Sequence, residues 1–189
     1  MRTTVAIDPT KLLEAAREFA EHQERAGRPR PIWLRRAVST AHYAVFRAIC
    51  RQAAAHLVPH APLEDQLRLA RSFTHQTLKE TCEWIAGRRG NQPQHARTLV
   101  AGLRSTAVAG VAAAFCDLQE ARHAADYDHL APFPKATVLE HVAGADRAIA
   151  ALTSAGAAQR ILRGACAWAQ HAMSPSTREA HHARVADDA

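Results

Sequence analysis

Aromatic side chains make up only 5% of the 189 residues, and β-branched residues are sparse. The side chains that favour a pleated, half-buried sheet surface are therefore in short supply, which argues against a β-rich fold. No run is long and apolar enough to span a bilayer. The segment Met1-Arg2-Thr3-Thr4-Val5-Ala6-Ile7 lacks the apolar stretch of a signal peptide. Cysteine is present but unpatterned: Cys50, Cys82, Cys116 and Cys166 form no C-x-x-C pair. Spaced widely among apolar neighbours, they read as reduced core thiols rather than as a disulfide or zinc framework. These absences lead to the expectation of a soluble, cytoplasmic protein that needs no metal or cofactor.

What the chain has is alanine, the best helix former, with prolines falling mostly between periodic stretches rather than inside them. A chain of this length suits one sizeable core and is short for two. The fold class expected is all-α: an antiparallel bundle of about five to six helices spanning residues 1–173, followed by a polar, aperiodic tail over 174–189. The net charge of +6 makes polyanions such as RNA or nucleotides expected partners, because each phosphate contact releases counterions. Arginine-rich, alanine-rich chains also arise from GC-rich coding sequences, so charge alone does not decide.

Asp8-Pro9 predicts a helix start, with aspartate as N-cap and proline at the first helical position, and the helix is expected to run to about Ala26. A second helix is expected from Pro31 to about Val58, where Leu34, Val38, Ala41, Val45 and Ala48 form one stripe with Phe46 and Ile49 beside it. A third is expected from Leu63 to Ala86, burying Leu67, Ala70, Phe73, Leu78, Cys82 and Ile85. The loop Gly87-Arg88-Arg89-Gly90-Asn91-Gln92-Pro93 precedes a fourth helix from about Gln94, carrying Leu99, Leu103, Val111, Phe115 and Leu118. A fifth is expected over Lys135 to Leu152 and a last one to about Met173.

The chemistry-bearing stretch is Leu118 to His129, at the end of the fourth expected helix. Phe115, Leu118 and Arg122 share one face, so Arg122 continues an apolar stripe. If the helix persists, His129 returns seven residues later to nearly the same azimuth. A guanidinium matches phosphate oxygens with a planar fork, and an imidazole exchanges a proton near neutral pH. Together they would suit metal-free cleavage of RNA. The plainer reading pairs Arg122 with Asp126 at i, i+4 on the surface, lets His123 cap or solvate the helix end, and packs Tyr127 in the core. His181-His182 reads as solvated tail. Arg35, Arg36, Arg47 and Arg51 give the second helix a basic edge, either solvated or facing RNA.

The segment Leu34-Arg35-Arg36-Ala37-Val38-Ser39-Thr40-Ala41-His42-Tyr43-Ala44-Val45-Phe46 resembles the long helix of HEPN domains. Phe115 to Asp128, with Arg122-His123 and Ala125-Asp126-Tyr127-Asp128, resembles the second signature of that family. The resemblance covers roughly residues 31–152. It implies a helical bundle that dimerises and acts as a metal-independent endoribonuclease of a toxin–antitoxin or defence type, with an antitoxin or other operon partner. Carried over, Arg122 and His129 are the catalytic pair and His123 the polar follower of the arginine; His123, Asp126 and Tyr127 are the substrate-contacting candidates. The family branch with this alanine-aspartate-tyrosine-aspartate end often lacks a histidine where His129 stands. A non-catalytic module binding RNA or nucleotide, and a purely structural helical dimer, therefore stay open as alternatives.

Overall fold

Asp8 begins the first helix as its side chain predicts. Its carboxylate accepts from the Thr10 amide at 3.0 Å and from the Thr10 hydroxyl at 2.9 Å, with Pro9 in the first turn. The computed structural model describes residues 7–22, 31–90, 107–153 and 161, and every regular element among them is a helix. In chain order these are α1 (Pro9–Glu21), α2 (Pro31–Leu57), α3 (Leu63–Ser72), α4 (His75–Ile85), α5 (Ala107–Tyr127) and α6 (Lys135–Thr153). The expected start of the fourth helix near Gln94, with Leu99 and Leu103, lies outside the described residues, as do Cys166, most of the last helix and the tail. Ile161 alone of that last helix is described; it is helical and fully buried.

α2 is the central element. Leu34, Val38, Ala41, Val45 and Ala48 are buried as expected, but so are Ala37, Ala44, Phe46, Ile49, Cys50, Ala53 and Ala54, so α2 is covered nearly all round by α1, α3, α5 and α6. Residues pair across α2 and α5 in descending order, with Arg35 at Ala124 to Ala131, Ser39 at Asp126 and His42 at Gln119, so the two helices run antiparallel. α1 also runs antiparallel to α2: Phe19 stacks on Trp33, while Asp8 meets Arg51 two turns past the middle. α6 buries Val138, Val142, Ala145, Ala148 and Leu152, a stripe at helical spacing. The expected bounds of this helix, Lys135 to Leu152, differ from those observed by one residue.

Two expectations need correction. The first helix stops at Glu21 rather than reaching Ala26; His22 is already out of helical conformation. The single helix expected over Leu63 to Ala86 is two. At Ser72 the side-chain hydroxyl turns back to the Leu69 carbonyl at 2.7 Å, and Phe73 and Thr74 are extended. Thr74 then caps a new helix, its hydroxyl accepting from the Thr77 amide at 3.2 Å. Local hydroxyl bonds here compete with the backbone ladder. Of the core expected on this stretch, Ala70, Leu78, Cys82 and Ile85 are buried, while Leu67 and Phe73 are only partly covered. The break places His75 at the start of α4, against α2.

α4 ends where the loop was expected. Gly87 adopts φ +75°, its amide bonds to the Trp84 carbonyl at 3.1 Å, and the Arg88 amide reaches the Glu83 carbonyl at 2.8 Å. This is a glycine-terminated Schellman cap. It turns Arg88 towards Asp117 and Glu120 of α5, and Arg89 back to Glu80 and Glu83.

Candidate functional site

α5 terminates under the control of Arg35. Its guanidinium donates to the carbonyls of Ala124, Ala125, Asp128, His129 and Ala131 at 2.8–3.3 Å and lies 4.9 Å from the Phe133 ring centroid. The last carbonyls of a helix lack intrahelical partners and carry the negative end of its dipole, so one fixed cation satisfies both needs. Asp128 shapes the turn that follows, its carboxylate accepting from the Leu130 and Ala131 amides at 2.9 and 3.2 Å. Arg35 is therefore neither a solvated basic edge nor an RNA-facing one; its donors are spent on the chain itself.

Because α5 ends at Tyr127, the helical projection that would bring His129 onto the face of Arg122 does not apply. His129 sits in the exposed turn, with its carbonyl held by Arg35. Among the described residues its imidazole makes no hydrogen bond, ion pair or ring contact with Arg122. His123 and Tyr127 pair with each other, rings 5.0 Å apart, along the next row of α5. Tyr127 is 63% exposed and does not pack in the core.

The structure does bring Arg122 and Asp126 together. Arg122 Nε lies 2.7 Å from Asp126 Oδ2, and Asp126 Oδ1 accepts from the Ser39 hydroxyl at 2.7 Å, tying α5 to α2. The Arg122 Nε–H is not aligned on the carboxylate for a hydrogen bond, so this contact is an ion pair held by charge. At the other end of the guanidinium, among the described residues, Nη2 reaches the Tyr43 hydroxyl at 3.5 Å, and Cζ lies 5.6 Å from the Tyr43 ring centroid. The Arg122 side chain keeps 21% of its surface exposed.

Beneath it lie two imidazoles that spacing along one helix could not reveal. Ser39, His42, Tyr43 and Phe46 fall at i, i+3, i+4 and i+7 on α2, and so share one face. His42 is fully buried, its Nε2 bonded to Gln119 Oε1 at 2.9 Å. With Gln119 Oε1 accepting, the proton sits on Nε2, and Nδ1 is left as a buried acceptor without a partner. His75, brought in by the break between α3 and α4, stacks on Phe46 at 3.7 Å and on His42 at 5.3 Å, with Tyr43 edge-on at 5.7 Å. Its Nδ1 is likewise buried and unbonded.

Burial pushes the His42 pKa down from 6.5 to about 4, with the adjacent His75 and the Arg122 guanidinium acting in the same direction and the Gln119 bond opposing them. His75 is also shifted down, by burial first and then by Arg122 and Arg47. Both rings are neutral at pH 7 and lie within the field of a permanent cation. The result is a cluster in which Arg122, Tyr43 and His75 lie partly exposed over the buried ring of His42. Among the described residues no group of three or more His, Cys, Asp and Glu side chains could hold a metal ion.

No family model, curated protein or solved structure matches the chain. The chemistry of the site therefore rests on its own geometry. A cavity of about 730 Å³ between α5 and α6 shares no residue with this cluster; small side chains such as Gly110, Ala114 and Gly144 line it, with Glu140 and Arg147 among its charges. Cys50, Cys82 and Cys116 are buried free thiols, pushed by burial to about 12, upward, and to about 11 respectively, which makes them poor nucleophiles. Among the described residues no helix is long and apolar enough to cross a membrane.

Proposed function

We propose that the chain is a HEPN-like, metal-independent endoribonuclease of a toxin–antitoxin or defence type, acting in the cytoplasm as a dimer, with Arg122 as the phosphate-binding cation. The observation that carries this reading is the state of Arg122. Asp126 fixes one edge of its guanidinium, while among the described residues the Nη edge makes only a long bond to Tyr43. A guanidinium oriented in this way is preorganised for the oxygens of a phosphodiester and for the charge that develops on them during displacement. Tyr43, 38% exposed, offers a ring face to a base. Large apolar side chains left exposed at the end of α5, Tyr127 and Leu130, support a second copy docking beside the site.

The test is cleavage of several RNAs in the presence of a chelator, with the new ends identified as 2′,3′-cyclic phosphate. Wild-type protein is expected to cleave and Arg122→Ala to be inactive. Equal cleavage by both proteins refutes the assignment.

The Asp126 ion pair favours a second reading. A guanidinium already half-neutralised suits a binding site as well as a catalytic one, and the module would then hold RNA or nucleotide without turnover. Salt-dependent binding that Arg122→Ala abolishes, with no cleavage in the wild type, would select this alternative.

A further inference from the structure

We propose that His75, and not His129, is the proton-transferring group of the Arg122 site. This inference rests on the ribonuclease reading above and names the second half of its machinery. Three observations converge on His75. It is the first residue of α4, brought beside Tyr43 by the Thr74 cap, so its position is fixed by the break between two helices. Its ring is clamped between Phe46 at 3.7 Å and 14° and the edge of Tyr43 at 5.7 Å and 86°, which sets the plane of the imidazole. Tyr43 in turn touches Arg122 through its hydroxyl and its ring, so one side chain spaces the guanidinium from the imidazole. His129 has none of these supports: it lies beyond the end of α5, in an exposed turn.

The step balances with these groups alone. With the phosphodiester oxygens on the Arg122 Nη edge, neutral His75, in the tautomer that carries its proton on the buried Nδ1, accepts the proton of the ribose 2′-hydroxyl through its other ring nitrogen, Nε2. The 2′-oxygen forms its bond to phosphorus and the bond from phosphorus to the 5′-oxygen breaks. The leaving 5′-oxygen takes the proton back from the imidazolium. The products are a 2′,3′-cyclic phosphate and a 5′-hydroxyl, and no water, metal or oxidant enters. Arg122 lies close enough to oppose an imidazolium at rest, which keeps the base free; the added negative charge of the phosphorane offsets that opposition in the transition state.

The groups facing His75 are His42, Tyr43 and Arg47 from α2 and Arg122 from α5. None is a carboxylate; His42 titrates lower, at about 4, and the urea midpoints separate its effect on folding from the acid limb of catalysis, while Asp126 is engaged by Arg122 and Ser39. The experiment compares wild type, His75→Ala, His75→Phe and His129→Ala on one RNA in chelator, as a function of pH, with urea midpoints recorded for each. His75→Phe keeps a ring in the Phe46 stack and so separates chemistry from folding. Expected are a loss in kcat of at least about 100-fold in both His75 variants, partial rescue of His75→Ala by added imidazole, and less than about a three-fold change in His129→Ala. The acid limb of the wild-type profile should vanish from the residual activity of the His75 variants. Full activity in a folded His75→Phe, or loss of activity in His129→Ala, overturns the role of His75 and leaves the ribonuclease reading standing. Absence of Arg122-dependent cleavage in the wild type overturns both.

Discussion

At the scale of single residues, His42 and Arg35 illustrate two ways in which a polar side chain is accommodated where α2 packs on α5. His42 is carried as a neutral ring with one unfilled nitrogen, and protonating it in place costs more than protonating it in the unfolded chain. Its folded pKa lies below the ordinary value, so the unfolded chain binds the proton first. Stability is full above pH 6.5 and falls as the pH drops from 6.5 towards about 4. At about 1.4 kcal/mol per pH unit the whole window amounts to something on the order of 3 kcal/mol. Urea midpoints measured across this range are expected to fall steeply in wild type and less steeply in His42→Phe; parallel curves would contradict this. Arg35 acts oppositely, as a permanent charge on five carbonyls. Arg35→Ala is expected to cost roughly 2–4 kcal/mol in urea unfolding, and Arg35→Lys to recover only part, since a compact ammonium lacks the fork that spans a helix end. A change below about 0.5 kcal/mol, the range of ordinary surface substitutions, would rule out Arg35 as the principal cap of α5.

At the scale of elements, the junctions carry the information. Gly87 lies at φ +75° with no atom within 4 Å of where a Cβ would stand, so substitution meets strain but no clash. Gly87→Ala should therefore cost about 1 kcal/mol from backbone strain alone, read as a lower urea midpoint with an unchanged slope. The start of α1 was legible because Asp8 and Pro9 act locally, and the limits of α6 because its apolar period stops at a proline pair on one side. The division between α3 and α4 was not legible: its cause is a pair of hydroxyl bonds at Ser72 and Thr74, which leave no apolar signature. The same blindness hid half of the site. Arg122 stood out as a cation on an apolar stripe, and Asp126 at i+4 gave its partner. His129 looked aligned only under the assumption of a longer helix. His75 is far from Arg122 in sequence and meets it only through packing; the available signal was the polar set Ser39, His42 and Tyr43 on a helix otherwise buried.

At the scale of the whole molecule, the Arg122 cluster draws its members from three helices: Ser39, His42, Tyr43 and Phe46 from α2, His75 from α4, and Gln119, Arg122 and Asp126 from α5. Its geometry depends on how these helices pack, so substitutions in it are expected to change stability as well as RNA binding. Asp126→Ala severs the Ser39 link between α2 and α5 together with the Arg122 ion pair within α5, and is expected to cost about 1–2 kcal/mol while also loosening the guanidinium. If Arg122 needs that clamp, RNA affinity should fall with it; binding measured at fixed salt decides, and an affinity that rises instead would mean Asp126 restrains the site rather than builds it. The most direct measurement remains RNA cleavage in chelator by wild type and Arg122→Ala side by side. Cyclic-phosphate ends are expected from the wild type and none from the variant; cleavage that persists in Arg122→Ala, or is absent from both, refutes Arg122 as the phosphate-binding cation of a ribonuclease.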